Sequence, residues 1–151
     1  MSKLRIALLC VLFLFTGIVI GGYLFSQSQS RSVLSIGRCQ DCLSPKDLAG
    51  LLASVAIQKA PGMIPSVVFE TDKTIVLKLP FTKARTHYVI IPKKDIKNIG
   101  EVSKQDAPYL DDAFYAARHI IEQEKLSRYV LYTNGPGTQE VTYLHFHLVT
   151  R

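Results

Sequence analysis

The chain has 151 residues, of which 48% are hydrophobic, and a formal net charge of +6 at neutral pH. Lys3 and Arg5 supply two of these charges beside the N-terminus, so the remainder of the chain is only mildly basic. Basic and aromatic residues are not interleaved along one segment, which argues against a nucleic-acid partner. The length suits one domain with a modest core.

The N-terminal segment is apolar over the length that a membrane span needs. Residues 6–25 form an uncharged run of 20 residues, close to the thickness of the hydrocarbon core of a bilayer. Lys3 and Arg5 precede this run, which favours a cytoplasmic N-terminus. A cleaved signal peptide is the alternative, but the run is long for one and no small-x-small site closes it. The sequence predicts a transmembrane signal anchor over residues 1–25, in a single-pass protein of a bacterial inner membrane with its domain on the periplasmic side.

An accessory helix is predicted over residues 44–62. Ser44 is a suitable N-cap, Pro45 suits the first helical position, and the Pro-Gly pair at 61–62 ends the pattern. Its expected buried face consists of residues at helical spacing, Leu48, Leu51, Leu52 and Val55.

Strand-like runs and one long helical pattern make up residues 63–151. Strands are expected at 66–70, 74–79, 87–91, 129–133 and 143–149. The long helix begins near Ser103 or Asp106, and its expected buried stripe is Leu110, Ala113, Phe114, Ala117, Ile120 and Ile121. An antiparallel sheet of about five strands with one long helix inserted is an α+β arrangement.

The last strand carries the residues with the most evident chemistry. Successive side chains of a strand face opposite sides, so Tyr143, His145 and His147 are expected on one face. The intervening Leu144 and Phe146 then face a core. Two imidazoles on a rigid strand can bind a metal, transfer protons or attack phosphorus. The alternative is a half-exposed strand that carries two histidines without using them.

A family resemblance becomes specific at residues 85–94, which read Arg-Thr-His-Tyr-Val-Ile-Ile-Pro-Lys-Lys. This segment resembles the T-H-x-x-V-I-P-K strand of the histidine triad (HIT) family. Asn134, the loop at 137–139 and the closing His-x-His strand follow in the family's order. The resemblance covers roughly residues 67–151 and implies a histidine-triad-like domain. It implies a nucleotide hydrolase or transferase that cleaves a phosphoramidate or phosphoanhydride bond through a nucleotidyl-histidine intermediate, often as a homodimer.

The resemblance also implies roles for individual residues. His145 matches the nucleophile, and His147 and His87 match the histidines that hold the phosphate oxygens. The positions where the family's loop contacts phosphate or ribose are Asn134, Thr138 and Gln139. The resemblance implies no cofactor.

Three positions depart from the family pattern. Tyr143 replaces the first histidine of the His-x-His-x-His strand, Leu79 replaces an acid that grips the ribose hydroxyls, and Glu140 replaces a small hydroxyl residue. These departures leave a second hypothesis open. In it, the chain is a catalytically inactive module that binds a ligand or zinc through the face of His145 and His147.

Residues 26–43 read as a polar stalk that carries Cys39 and Cys42. Outside the cytoplasm, such a pair favours a disulfide. Some bacterial histidine triad proteins use a similar pair, with two histidines, to bind structural zinc. Asp95 and Tyr143 stand at the positions of those histidines here, and tyrosine is a poor zinc ligand. A disulfide is therefore preferred over zinc, and a redox-catalytic pair is the least favoured reading.

Overall fold

The structure, a computed structural model, describes residues 3–29, 44–80 and 86–150. Its helices are α1 (Lys3–Phe25), α2 (Pro45–Lys59) and α3 (Ala107–Gln123). Its strands are β1 (Val67–Glu70), β2 (Thr74–Lys78), β3 (Thr86–Pro92), β4 (Tyr129–Tyr132) and β5 (Phe146–Thr150). Short 3-10 turns occur at Pro61–Met63, Ile99–Glu101 and Lys104–Asp106.

The strands form one five-stranded sheet in the order β1-β2-β3-β5-β4, and every pair is antiparallel. The chain leaves β3, passes through α3 and β4, and returns to place β5 between β3 and β4. His147 therefore lies opposite Val89 on one side and Tyr132 on the other. A strand that is hydrogen-bonded on both sides has a fixed register, so the histidine strand is held rigidly.

One face of the sheet packs against α3 and forms the larger core. Ala113, Ala116, Ala117 and Ile120 of the helix are buried there. Leu144, Phe146 and Leu148 lie in the same cluster, as the alternating pattern predicts. Phe114 of the predicted stripe is instead 52% exposed, with its ring 5.5 Å from that of Phe146. The α+β fold with five antiparallel strands and one long helix is confirmed.

The opposite face of the sheet packs against α2. Ser44 caps this helix as expected, because its Oγ accepts a hydrogen bond from the backbone N–H of Asp47 at 3.4 Å. The predicted buried stripe is wrong at Leu48 and Leu52, which are 38% and 58% exposed, and Leu51 and Val55 are only half-buried. The buried residues of α2 are Gly50, Ser54 and Ile57. Ile57 packs with Ile75, Val89 and Ile91 of the sheet, whereas Ser54 lies beside the segment just beyond α1.

The histidine strand begins later than predicted, at Phe146 rather than Tyr143. The backbone N–H of Tyr143 donates to the carbonyl of Val141 at 2.8 Å, and that of Leu144 donates to the carbonyl of Ile96 at 2.6 Å. These bonds bend the segment before β5 away from ladder pairing. Tyr143 is consequently buried at the α2 face of the sheet, only 1% exposed.

Helix α1 is long and apolar enough to cross a membrane, with a mean hydropathy of 2.5 and none of its span buried. A signal sequence near an N-terminus has the same properties. The end of α1 lies beside α2, where the Lys59 Nζ is 4.5 Å from the centroid of the Tyr23 ring. Just beyond α1, the hydroxyl oxygens of Ser28 and Ser54 are 2.9 Å apart.

Candidate active site

Three histidines converge at the sheet. His87 lies on β3, His147 on β5, and His145 directly before β5. Because Val89 is the direct partner of His147, His87 is its diagonal neighbour, within reach of a long side chain. The Nε2 of His87 is 2.8 Å from the Nδ1 of His147. The rings of His145 and His147 meet edge to face, with centroids 4.8 Å apart.

The ring of His145 is held in one orientation by the backbone before it. Its Nδ1 lies 2.7 Å from the carbonyl oxygen of Tyr143. A carbonyl oxygen only accepts hydrogen bonds, so this contact places the ring proton on Nδ1. Nε2 then presents its lone pair, as a nucleophile requires. The hydroxyl of Thr133 donates to the carbonyl of His145 at 2.8 Å and fixes the backbone as well.

The ring of His147 is surrounded by neighbours from three strands or loops. The side-chain nitrogen of Asn134 lies 3.5 Å from its Nε2, and the Tyr132 ring stacks on it with a centroid separation of 4.9 Å. Burial, followed by the charges of the nearby His145 and His87, lowers the pKa of His147 to about 4. Burial also lowers the pKa of His87. His147 is therefore neutral at pH 7.

The predicted loop residues have different surroundings. Of Asn134, Thr138 and Gln139, Asn134 bonds to a histidine ring in the part of the chain that the structure describes. Thr138 is exposed, and its hydroxyl donates to the carbonyl of Gly135 at 3.2 Å. Gln139 is 1% exposed, and its Nε2 donates to the carbonyls of Lys97 at 3.1 Å and Tyr143 at 3.5 Å. Gln139 thus contacts the same carbonyl that orients His145.

An apolar cavity of about 220 Å³ opens beside His145. It is lined by Ala53, Ile57, Leu77, Leu79, Val89, Ile91, Val141, Tyr143 and His145. The hydroxyl of Tyr143 donates to the carbonyl of Pro92 at 2.9 Å, on the far side of its ring. Sequence reasoning missed the two cavity residues of α2, although Ala53 and Ile57 are spaced four positions apart and so share a helix face.

Among the residues that the structure describes, no group of three or more His, Cys, Asp or Glu side chains is placed to hold a metal ion. Cys39 and Cys42 lie outside the described residues, so their disulfide stays a prediction.

Comparison with known proteins supports one family. The family model described as "Scavenger mRNA decapping enzyme C-term binding" matches residues 56–151. The purine nucleoside phosphoramidase of Escherichia coli (strain K12) is 33% identical over 91 residues, which cover 57% of this chain and 76% of that protein. An uncharacterized HIT-like protein of Buchnera aphidicola is 30% identical over 88 residues, or 56% of this chain and 77% of that protein.

Solved structures agree with the sequence matches. A HIT family hydrolase from Legionella pneumophila is 36% identical, with a TM-score of 0.55, and the match covers 61% of this chain and 87% of that one. A HIT family hydrolase from Clostridium thermocellum is 30% identical, with a TM-score of 0.57, and covers 64% and 89% of the two chains. The chain therefore belongs to the histidine triad (HIT) family.

Proposed function

We propose that this chain hydrolyses a phosphoramidate or phosphoanhydride bond in a small phosphorylated compound, such as a nucleotide, through a covalent intermediate on His145. The observation that carries the proposal is the 2.7 Å contact between His145 Nδ1 and the Tyr143 carbonyl, which leaves Nε2 free to attack phosphorus. The E. coli relative, by its name, acts on purine nucleoside phosphoramidates.

The reaction has two steps. The lone pair of His145 Nε2 forms a bond to phosphorus, and the bond from phosphorus to the leaving nitrogen or oxygen breaks with its electron pair. Water then attacks phosphorus, the Nε2–P bond breaks, and its electrons return to the imidazole. The water proton passes to solution, and the products are a phosphomonoester and the free leaving group.

The neighbouring imidazoles hold the phosphate in this proposal. His147 is neutral at pH 7 because its pKa is lowered to about 4. A neutral imidazole donates one N–H bond and accepts another, so the His87–His147 pair can share one proton and present another to a phosphoryl oxygen. Asn134 adds an amide donor on the same side.

In this proposal Tyr143 does not donate a proton to the leaving group. The phenol of Tyr143 is buried under α2 and donates to the Pro92 carbonyl. A departing amine or phosphate therefore takes its proton from water in this mechanism, and good leaving groups are favoured.

Intact-mass spectrometry after a brief, quenched incubation tests the proposal. Phosphoramidates of adenosine, guanosine, hexanol and phenol are each mixed with the full chain at neutral pH, which preserves a P–N bond. We expect an adduct with the mass of the phosphoryl group and its substituent, absent in His145→Ala. The same variant retains the thermal unfolding midpoint of the wild type. Absence of both adduct and product across the panel would instead favour the non-catalytic module that binds a ligand or zinc through His145 and His147.

We further propose the organisation predicted from the sequence: a signal anchor at 1–25, a stalk at 26–43, an accessory helix at 44–62 and a catalytic domain at 63–151. Support comes from the length and hydropathy of α1. Alkaline extraction of membranes and protease accessibility in spheroplasts test the anchor and its orientation, and recovery of a chain that lacks residues 1–25 would show a cleaved signal instead.

A loss of 2 Da relative to the reduced protein is expected for a Cys39–Cys42 disulfide, because two thiol hydrogens leave. Sedimentation of the detergent-solubilised chain tests the predicted homodimer.

A further inference from the structure

The cavity beside His145 is apolar almost throughout. Seven of the nine described residues that line it are alanine, valine, leucine or isoleucine. Of the two others, Tyr143 directs its hydroxyl away to the Pro92 carbonyl. His145 is the other, and its Nε2 is the ring nitrogen that does not bond to the Tyr143 carbonyl.

The position of the cavity relates it directly to the reacting phosphorus. Phosphorus must lie in contact with His145 Nε2 during the attack, and His145 itself lines the cavity. A substituent on phosphorus that points toward α2 therefore enters this space. The volume of about 220 Å³ exceeds the roughly 150 Å³ of a dry cavity that holds benzene. The space thus accepts a group somewhat larger than one aromatic ring.

A sugar would be poorly matched to these walls. Each hydroxyl that enters an apolar space gives up its bonds to water and finds no partner, which weakens binding roughly tenfold or more per group. Leu79 is the most exposed of the described lining residues, at 37%. Its side chain has no atom that can accept a hydrogen bond from a sugar hydroxyl.

We infer that the substituent on phosphorus which occupies this cavity is apolar, an alkyl or aryl group rather than a ribose, and that Leu79 determines this specificity. The inference rests on the proposed function, since it concerns the substrate of the same site. The apolar group remains on phosphorus when His145 displaces the leaving group, and departs with the phosphomonoester when water attacks.

The surroundings of α2 suggest where such a compound could come from. Helix α2 contributes Ala53 and Ile57 to the cavity, and the adjacent Ser54 lies 2.9 Å from Ser28, just beyond α1. The apolar helix α1 therefore ends one helix away from the cavity. A lipid phosphate in a bilayer crossed by α1, and a soluble alkyl or aryl phosphate, share the chemistry that the cavity recognises.

Competition between substrates tests the inference. The full chain is assayed with hexyl, phenyl and adenosine phosphoramidates, which share one leaving group. We expect kcat/KM for the hexyl compound to exceed that for the adenosine compound at least tenfold. Leu79→Asp should lower the hexyl value about tenfold and raise the adenosine value, whereas the control Leu79→Met, which keeps volume and polarity, should retain the wild-type preference. Equal values, or a preference for adenosine, would overturn the inference and leave the proposed function intact.

A binding measurement separates this inference from the proposed function. Hexylphosphonate cannot be cleaved at phosphorus, so calorimetry with it reports occupation of the cavity without turnover. Binding by the wild type and by Leu79→Met, with affinity at least tenfold lower in Leu79→Asp, supports the inference even where no substrate is turned over. Adenosine monophosphate binding more tightly than hexylphosphonate would contradict it. Thermal unfolding shows whether Leu79→Asp is folded, and Leu77→Asn provides a second polar wall substitution.

A final comparison separates the two sources. The full chain is reconstituted in phosphatidylcholine vesicles that contain dodecyl phosphoramidate, and turnover is compared with that of soluble hexyl phosphoramidate. Faster turnover in the vesicles supports a lipid phosphate, and faster turnover in solution supports a small alkyl ester. Turnover of neither, together with turnover of adenosine phosphoramidate, rejects an apolar substituent.

Discussion

His87 and His147 meet across two paired strands, with 2.8 Å between Nε2 of the first and Nδ1 of the second. A hydrogen bond between two imidazoles needs one nitrogen without a proton, so the pair is compatible with neutral rings and is disrupted when both rings become cations. Burial, followed by the charges of His145 and His87, lowers the pKa of His147 to about 4 from its usual 6.5.

This pair predicts a pH-dependent stability. The unfolded chain protonates His147 below pH 6.5, whereas the folded chain resists protonation until about pH 4. The stabilisation is thus complete above pH 6.5 and is lost as the pH falls from 6.5 toward 4. His147 is half-exposed, so we expect a loss of only about 1 kcal/mol in the free energy of unfolding.

Urea unfolding at pH 7.5, 6.0 and 4.5 measures this effect. His147→Gln should flatten the dependence over that range, because glutamine keeps hydrogen-bonding capacity without titrating. A wild-type free energy of unfolding that is constant from pH 7.5 to 4.5 would contradict the lowered pKa.

We expect Gln139 to help position the ring of His145. Its side-chain nitrogen donates to the Tyr143 carbonyl, which in turn accepts from His145. Gln139→Met keeps the shape but removes the donors, leaving the Lys97 carbonyl without this partner at a cost of about 1–2 kcal/mol in stability. We expect kcat to fall about tenfold, or about 1.4 kcal/mol, with KM nearly unchanged, since the attacking ring rather than the substrate contact is affected.

Steady-state kinetics and urea unfolding of Gln139→Met check both effects. Thr138→Ala is the matched control, because Thr138 is exposed and its hydroxyl bonds to the nearby Gly135 carbonyl. A raised KM with an unchanged kcat in Gln139→Met would show that Gln139 binds substrate instead.

We expect a substitution of the Tyr143 side chain to lower stability without lowering activity. Its hydroxyl donates to the Pro92 carbonyl, whereas His145 depends on the backbone carbonyl of residue 143. Tyr143→Phe removes the first bond and keeps the second. We expect a loss of about 1 kcal/mol or more in the free energy of unfolding, because a buried carbonyl loses its donor. The value of kcat should stay within twofold, and a fall of a hundredfold or more would assign the phenol a direct part in the reaction.

The sequence correctly predicts those elements whose hydrophobic pattern is compatible with only one buried face. The alternation in β5 predicts the buried Phe146 and Leu148, and the stripe of α3 predicts Ala113, Ala117 and Ile120. The histidines at 87, 145 and 147 converge because a central strand with two partners has one register that keeps its apolar side on the core.

Other features depend on tertiary packing that the pattern does not encode. Helix α2 is apolar on several faces, so periodicity could not choose the face with Ser54 and Ile57 over the one with Leu48 and Leu52. The burial of Gln139 depends on the carbonyl of Lys97, which lies 42 positions away. The cavity beside His145 arises only when α2 and the sheet are brought together.

The contacts of Asp106 lead us to expect a second pH range, more acidic than that of His147, in which the free energy of unfolding falls. It is 5% exposed at the turn before α3, where its Oδ2 accepts from the backbone N–H and the hydroxyl of Ser103, both at 2.7 Å. Its Oδ1 lies 2.5 Å from the Lys94 Nζ. Burial opposes ionisation of Asp106, but the bonds from Lys94 and Ser103 together outweigh it and hold the pKa of this carboxyl below 3.8.

Asp106→Asn should cost about 2 kcal/mol in the free energy of unfolding, because it leaves the Lys94 charge without its partner and weakens the start of α3. The stabilisation from the lowered pKa is present above pH 3.8 and is lost as the pH falls below it, a range distinct from that of His147. Asp111→Asn, an exposed substitution on the same helix, should change stability by less than about 0.5 kcal/mol. Equal effects of the two substitutions in urea unfolding at pH 7 would show that the Asp106 bonds contribute nothing specific.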